Sequence, residues 1–259
     1  MNKQAIGIFD SGVGGTSIWK EIHRLLPHEN TIYLADSLNA PYGPKGKDAI
    51  IDLSIKNTEF LLNKNCKLIV VACNTATTNA IDYLRAHYQV PFIGIEPAIK
   101  PAALQTKTGA IGILATKGTL SSTLFSRTAR LFASNIQVVE QIGNGIVELI
   151  ESGKLHSEAM TSLLTSYLEP MIKADIDYLV LGCTHYPYLI PILSELLPKH
   201  VTIIDSGAAV ARQTQAILNE HSLLNTSLIS SKNEFYTNSH PEVMRSLLGT
   251  DSNVDYLDF

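Results

Sequence analysis

The sequence predicts an α/β fold made of two similar domains, each a mostly parallel sheet flanked by helices. Short apolar runs rich in β-branched residues alternate with segments of helical periodicity, which is the pattern of parallel strands joined by crossover helices. Two of these runs, IGIFDSG from Ile6 and IGILATKG from Ile111, begin 105 residues apart, and two runs that end in cysteine are similarly spaced. We therefore predict an approximate internal duplication. The length of 259 residues suits one or two domains.

The individual elements follow from the same periodicities. The predicted strands are, in chain order, IGIF, TIYLA, KLIVVA, PFIGI, AIGILA, IQVVE, YLVLG and VTIID. Residues 16–26 and 158–172 are predicted helices, because their apolar residues fall on one face, and Pro27 ends the first of them. These faces are expected to pack in the core rather than to bind a ligand. The chain has no Gly/Ser linker, so we place the domain boundary between Pro97 and Pro101.

Composition argues against several classes of partner. The net charge is −4, the pI is about 6.1, and no cluster of Lys and Arg would neutralise a run of phosphates, so nucleic acid is not expected as a primary partner. No apolar run approaches the ~20 residues of a membrane span. The first residues, MNKQAIGIFD, lack the basic and apolar segments of a secretory signal. Three cysteines fit a reducing compartment, so we predict a cytoplasmic protein.

Reactive side chains cluster where predicted strands end. Cys73 follows the run LIVVA, and Cys183 follows YLVLG, 110 residues later. In open parallel sheets the ligand crevice lies beyond the carboxyl ends of the strands. The candidate residues there are Asp10, Ser11, Cys73, Asn74, Thr75, Cys183, Thr184 and His185. A nucleotide site is not favoured, because the GVGG run lacks the GxGxxG spacing and the P-loop lysine.

Three kinds of chemistry could use these side chains. A zinc site would combine Cys73, Cys183, His185 and Asp10, but the paired spacing of common zinc modules is absent, so no metal is expected. A single-thiol hydrolase would need only one cysteine with a histidine base. A racemase would use both thiols, since inversion of a stereocentre needs a base on one face of the carbon and an acid on the other. Each thiol is also predicted to precede a helix N-terminus, which favours a thiolate and can bind a carboxylate.

The motifs of the chain resemble those of the cofactor-independent glutamate racemases, within the aspartate/glutamate racemase family. The resemblance rests on FDSGVGG (9–15), PYG (41–43), ACNTA (72–76), GCTHYP (182–187) and IDSG (204–207). It implies interconversion of L- and D-glutamate, which supplies D-glutamate for bacterial peptidoglycan synthesis and so for cell-wall biogenesis and cell shape. It also implies an active site in the cleft between two domains. The segment after about residue 210 would pack on the first, giving domains 1–97 plus 210–259 and 98–209.

The resemblance also implies roles for individual residues. Cys73 and Cys183 correspond to the two proton donors and acceptors, assisted by Asp10, His185 and a glutamate. Glu151 is the better match for that glutamate and Glu148 the rival, because GIVELIESG lacks the proline usual in this stretch. The substrate-binding positions are Asp10, Ser11, Tyr42, Gly43, Asn74, Thr75, Thr184 and His185. No cofactor, including pyridoxal phosphate, is implied, and family members often form homodimers.

Rival functions remain open from the sequence. An aspartate or hydantoin racemase would share the fold and the thiol pair, although the histidine in GCTHYP favours glutamate. A related decarboxylase would need only one thiol. A non-catalytic small-molecule binding module would tolerate the loss of either cysteine. Cys66 matches no motif, and we predict no functional role for it.

Overall fold

The computed structural model of the chain describes residues 3–227, 231–249 and 252–259. Its strands are β1 (Ile6–Asp10), β2 (Thr31–Ala35), β3 (Leu68–Val71), β4 (Phe92–Gly94), β5 (Ala110–Ala115), β6 (Gln137–Ile142), β7 (Tyr178–Gly182), β8 (Thr202–Ile204), β9 (Asn233–Thr237) and β10 (Val254–Tyr256). Every strand pairing in these ranges is parallel. All eight predicted runs contain a strand, so the α/β prediction is confirmed.

Helices connect the strands and cover the sheets. They are α1 (Thr16–Leu25), α2 (Lys47–Asn63), α3 (Asn74–His87), α4 (Ile99–Gln105), α5 (Lys117–Leu120), α6 (Thr123–Phe132), α7 (Ile146–Glu151), α8 (Glu158–Lys173), α9 (Ile190–Leu196), α10 (Gly207–Glu220) and α11 (Pro241–Leu248). Short 3₁₀ helices span Ser37–Asn39 and Tyr186–Leu189. The two helices predicted from periodicity correspond to α1 and α8. Ser157 begins α8 by accepting a hydrogen bond from the backbone N–H of Met160 at 3.2 Å.

The two sheets repeat one strand order. The first sheet has the order β10-β9-β2-β1-β3-β4, and the second has the order β6-β5-β7-β8. The segment β2-β1-β3-β4 therefore corresponds strand for strand to β6-β5-β7-β8. In this correspondence β1 matches β5 and β3 matches β7, in agreement with the spacing of the IGI runs and of the two cysteines. The repeated strand order agrees with the duplication that the sequence predicts.

Parallel register brings the reactive strand ends together. Phe9 pairs with Val71 between β1 and β3, so the residues after both strands emerge at the same edge of the first sheet. Ala115 pairs with Gly182 between β5 and β7 and produces the same arrangement in the second sheet. One apolar cluster extends from Ile8 in the first sheet to Leu179 in the second, so the two sheets share part of their core.

The last two strands were not predicted. NEFYT, which forms β9, is largely polar, and only two of its five residues are buried, so it lacks the apolar run of an internal strand. It pairs with β2, and β10 extends the same sheet. Before them, α10 packs against α1. The chain after β8 thus returns to the first sheet.

None of the helices in the described ranges has the length and apolar character needed to span a bilayer.

A buried ion pair ties the returning segment to the first sheet. Lys67 Nζ lies 2.5 Å from Glu29 Oε2, and both side chains are almost completely buried. Lys67 also donates to the carbonyl of Leu223 at 2.9 Å, and Glu29 Oε1 accepts from the backbone N–H of Asn225 at 2.6 Å. The pair therefore satisfies backbone groups of a segment more than 150 residues away in sequence.

Replacing Lys67 with Met should lower the free energy of unfolding by about 3–5 kcal/mol, because the Glu29 carboxylate would remain buried without its cation. Urea denaturation followed by circular dichroism measures the change. The control is Arg24→Ala, which breaks the exposed pair with Glu21 and should change the free energy by less than about 1 kcal/mol. Equal effects of the two substitutions would contradict the importance of the buried pair.

Candidate active site

The loop after β1 wraps around a buried carboxyl group. Asp10 is the last residue of β1 and has no exposed surface. Its Oδ2 accepts hydrogen bonds from the backbone N–H of Gly15 at 2.7 Å and from Thr184 Oγ1 at 3.3 Å. Ser11 Oγ lies 3.4 Å from Oδ1 of the same carboxyl group. Asp10 thus connects the glycine-rich loop of the first sheet to the segment after β7 in the second.

Cys73 lies at the junction of β3 and α3, as the sequence predicts. It is the N-cap of α3, and its Sγ accepts a hydrogen bond from the backbone N–H of Ala76 at 3.4 Å. The thiol also donates to Ser11 Oγ at 3.5 Å. Burial, reinforced by the charge of Asp10, raises the pKa of Cys73 despite these two hydrogen bonds. The backbone N–H of Ala76 at the helix N-terminus lowers this pKa, in the direction that the sequence predicts, but desolvation is the larger effect.

Cys183 occupies the equivalent position after β7, but its surroundings differ. The predicted helix does not begin directly after it. Residues 183–185 form a turn, a 3₁₀ helix spans Tyr186–Leu189, and α9 begins only at Ile190. Pro187 stands in the first turn of the 3₁₀ helix, which suits the missing N–H of proline. The second thiol therefore lies before a tight turn, and its main polar neighbour is a side chain.

That neighbour is His185, which connects the thiol to a carboxylate. Nδ1 of His185 lies 3.7 Å from Cys183 Sγ, and Nε2 lies 2.5 Å from Glu151 Oε1. The same oxygen accepts a hydrogen bond from the backbone N–H of Val13 at 2.7 Å. Glu148, the rival carboxylate, is exposed beside a neighbouring cavity. The geometry thus favours Glu151 as the partner of His185.

The buried charges change each other's acidity. Burial raises the pKa of Asp10 from 3.8 to about 6, although His185 and the N–H of Gly15 act in the opposite direction. Burial alone would lower the pKa of His185, but its contacts with Cys183 and Glu151 raise it well above the usual value. Asp10 thus titrates near neutrality, and the contacts of His185 favour the imidazolium. Groups with such properties can accept and donate protons at physiological pH.

The hydroxyl group of Tyr42 is bonded to side chains outside the cavity lining. The hydroxyl donates to Asp36 Oδ2 at 2.5 Å and accepts from Asn57 Nδ2 at 3.1 Å. Asp36 also accepts from Asn238 Nδ2 at 2.6 Å, so the C-terminal segment helps to fix this loop. A contact of Tyr42 with a substrate would therefore involve its ring or backbone rather than its hydroxyl.

The first turn of α3 offers polar atoms to the cavity. Asn74 is buried, and both side-chain atoms, Nδ2 and Oδ1, lack a hydrogen-bond partner among the described residues. Thr75 Oγ1 lies 2.8 Å from Thr116 Oγ1, which follows β5 in the second sheet. Unpaired polar atoms are costly in a protein interior unless a ligand pairs with them. Asn74 is thus a strong candidate for substrate contact.

These side chains surround one narrow cavity, in which the space open to water-sized molecules is about 10 Å³. It is lined by Ser11, Pro41, Tyr42, Gly43, Cys73, Asn74, Thr75, Thr116, Val147, Cys183, Thr184 and His185. Nine of these residues were predicted as site residues; Asp10 and Glu151 are not in the lining but contact residues that are. Their individual roles remain predictions.

The sequence analysis missed three lining residues, and their signals were weak. Thr116 directly follows β5, and Asp10 and Cys73 also lie at strand ends. Searching the end of the predicted strand in ILATKG for polar residues would therefore have found it. Val147 and Pro41 carry no reactive group. In the described ranges, no group of three or more His, Cys, Asp or Glu side chains has an arrangement that could hold a metal ion.

The fold and the two cavity-lining thiols define a class of two-domain racemases, and comparison with known proteins identifies the family. The chain belongs to the Asp/Glu/hydantoin racemase family, whose sequence profile matches residues 6–214. It is 47% identical to the glutamate racemase of Herpetosiphon aurantiacus over 241 residues, which cover 93% of this chain and 95% of that protein. It is 43% identical to the glutamate racemase of Pseudomonas paraeruginosa over 258 residues, or 98% and 97% of the two chains.

Solved structures agree with this family membership. A glutamate racemase isoform from Bacillus anthracis superposes with a TM-score of 0.87 at 32% identity, covering 100% of this chain and 98% of that one. The Escherichia coli glutamate racemase, solved in complex with L-glutamate and the activator UDP-MurNAc-Ala, gives a TM-score of 0.86 at 33% identity, with 98% of each chain covered. The similarity therefore extends over both sheets.

Replacing Asp10 with Asn should stabilise the fold above pH 6. The pKa of Asp10 in the folded chain is about 6, above the ordinary 3.8, so folding disfavours its charged form. The resulting loss of folding stability is absent below about pH 4 and grows as the pH rises from 4 to 6. It reaches about 3 kcal/mol above pH 6. Urea denaturation at pH 4 and pH 7.5 should show the gain only at the higher pH. The control is the exposed Asp52→Asn. A pH-independent effect of Asp10→Asn would contradict this assignment.

Proposed function

We propose that this chain interconverts L- and D-glutamate through Cys73 and Cys183, one of which removes the Cα proton while the other delivers a different proton to the opposite face. The observation that carries the proposal is that two thiols, at equivalent strand ends of two similar sheets, line one cavity. Neither a hydrolase nor a decarboxylase needs the second thiol. Membership of a racemase family, with glutamate racemases among the relatives, supports glutamate as the substrate.

The two thiols act on opposite faces of the substrate. In one direction a thiolate removes the Cα proton and becomes a thiol, which leaves a planar carbanion. The thiol on the other face then donates its proton to the carbanion and becomes a thiolate. The product has inverted configuration, and the two cysteines have exchanged protonation states. Proton exchange with solvent restores the starting state of the enzyme.

Different neighbours assist the two thiols. On the second sheet, His185 lies 3.7 Å from Cys183 and can hold a proton that the thiol releases, stabilised by Glu151. On the first sheet, Ser11 contacts Cys73, and Asp10, with a pKa of about 6, is suited to proton exchange near neutrality. The raised pKa of Cys73 makes its thiolate less abundant but more basic, which suits removal of a weakly acidic Cα proton.

Local dipoles can capture an anionic substrate in spite of the overall negative charge. The free N–H groups at the start of α3 and the unpaired amide of Asn74 can bond a carboxylate. The hydroxyl groups of Thr75 and Thr184 border the same cavity. We assign substrate contacts to these residues and to Ser11, Tyr42, Gly43, Asp10 and His185, as the family resemblance implies.

The proposal also includes the domain boundaries, the biological role, the cellular location and the oligomeric state. We assign residues 1–97 plus 210–259 to the first domain and residues 98–209 to the second, which agrees with the sheet to which each strand belongs. A role in supplying D-glutamate for peptidoglycan, a cytoplasmic location and a homodimeric state complete the proposal. Three free cysteines suit a reducing compartment, and sedimentation equilibrium would measure the oligomeric state.

Purified protein should racemise L-glutamate in heavy water without pyridoxal phosphate and in the presence of a chelator. Because each thiol exchanges its proton with solvent, the first D-glutamate formed should carry deuterium at Cα while the remaining L-glutamate stays protiated. Circular dichroism would follow inversion, and proton NMR of the separated enantiomers would follow the isotope. Loss of activity with the chelator, or substantial protium in the first product, would contradict the two-thiol mechanism.

Cys73→Ser and Cys183→Ser should each lower the rate of racemisation by orders of magnitude, because a hydroxyl group is a much weaker acid than a thiol. Cys66→Ser is the matched control. Cys66 is also buried, and burial raises its pKa to about 12, but it lies outside the cavity lining and should be dispensable for activity. Circular dichroism would verify folding of all three variants. Near-normal racemisation by either cavity variant would exclude the proposed mechanism.

A further inference from the structure

Glu151 extends from the second sheet into the glycine-rich loop of the first. It is the last residue of α7, which follows β6, yet its carboxylate reaches the loop that follows β1. Oε1 accepts a hydrogen bond from the backbone N–H of Val13 at 2.7 Å and lies 2.5 Å from His185 Nε2. One oxygen atom therefore contacts both the first-sheet loop and the histidine beside the second thiol.

The loop has room for this carboxylate because two of its residues lack side chains. A Cβ atom at Gly12 would lie 2.7 Å from Cδ of Glu151 and still closer to Oε1. A Cβ atom at Gly14 would lie 2.6 Å from the backbone nitrogen of His185 and would also collide with the imidazole ring. Real Cβ atoms essentially never approach other atoms this closely. Glycine is therefore needed at positions 12 and 14 for the loop to lie this close to Glu151 and His185.

The contact also joins two parts of the site electrostatically. The charged and titratable groups around His185 are Asp10 at the end of β1, Glu151 of α7 and Cys183 of its own turn. The N–H of Val13 donates to the same Glu151 oxygen that contacts His185, so the loop after β1 holds the carboxylate beside the imidazole. The contact with Glu151 helps to raise the pKa of His185, whose Nδ1 lies 3.7 Å from Cys183 Sγ.

We propose that Gly12 and Val13 form a seat for the Glu151 carboxylate and act as positioning residues for the His185–Cys183 pair. The inference rests on the proposed racemase function. Gly12 and Val13 lie in the loop of the first sheet, and Glu151 lies on a helix of the second. His185 and Cys183 are therefore aligned when the two sheets are packed as they are here. The second thiol thereby depends on a backbone amide of the opposite half of the molecule.

The test compares Gly12→Ala with Gly46→Ala, whose added Cβ would meet no described atom within 4 Å. Gly12→Ala should lower kcat by about 10-fold to 100-fold, because a displacement of the order of 1 Å at a catalytic group costs this much. The alkaline limb of the pH–rate profile should move to lower pH, since His185 loses its carboxylate partner. Gly46→Ala should change neither. An unchanged kcat and alkaline limb in Gly12→Ala would overturn the proposal.

A double variant separates the seat from a general packing effect. In Glu151→Ala the carboxylate is already absent, so adding Gly12→Ala should cause little further loss of kcat and should restore any loss of Tm seen in Gly12→Ala alone. If the two losses of kcat multiply instead, the residues act independently and the proposal fails. This comparison remains informative if Gly12→Ala alone folds poorly.

A titration that requires no catalytic turnover tests this inference independently of the proposed racemase function. Nitrogen-15 NMR of histidine-labelled protein, with His185 assigned through His185→Gln, should show a raised pKa for His185 in the wild type. The pKa should fall in Gly12→Ala and in Glu151→Gln and should stay raised in Gly46→Ala. Equal pKa values in Gly12→Ala and the wild type would refute the seat. Absence of glutamate racemisation by the wild type would refute the proposed function, whatever this titration shows.

Discussion

Parallel strand register is the constraint on which the candidate site depends. It sends the residues after β1 and β3, and those after β5 and β7, to one edge of each sheet. Parallel strands are joined by long crossover connections. Residues that are far apart in sequence therefore come together at this edge. Repetition of the same strand order in the second sheet places a second thiol at a position equivalent to that of the first. Packing of the two sheets through a shared apolar cluster then encloses the cavity.

Burial has two opposite effects on the chemistry of this cavity. It removes water and so strengthens each hydrogen bond and charge interaction within it. It also penalises charged groups, which raises the pKa of Cys73 and of Asp10. His185 escapes that penalty only because Glu151 and Cys183 lie beside it. The two thiols therefore have different polar neighbours, a serine and a carboxyl group beside Cys73 and an imidazole beside Cys183.

Much of this arrangement could be predicted from the sequence, because apolar runs mark buried strands and strand ends mark the crevice. Cys73, Cys183, Asp10 and His185 were found in this way. β9 was missed, because its largely polar sequence lacks the apolar signal of a buried strand. The helix expected after Cys183 was wrong, since a 3₁₀ turn with Pro187 precedes α9. Local sequence also contains no signal for interactions between distant segments.

Two features of the site arise from such distant interactions. They are the hydrogen bond from the backbone N–H of Val13 to Glu151 and the raised pKa of Cys73. Both depend on tertiary packing, because the first joins residues 138 positions apart and the second results mainly from burial of the thiol. Thr116 falls between these cases. Its position after β5 was readable from the sequence, but its contact with Thr75 required the two sheets to be in place.

The unequal surroundings of the two thiols have a consequence for the energetics of the proposed reaction. Two enantiomers have identical free energies in water, so their equilibrium constant is unity, however asymmetric the protein is. Detailed balance then requires equal kcat/KM values for the two directions. The difference between a Ser11-bonded thiol and a His185-bonded thiol can appear only as separate changes in kcat and KM that cancel in their ratio. An asymmetric site thus sets how tightly each mirror image is held, while the net direction of flux depends on the concentrations of the two.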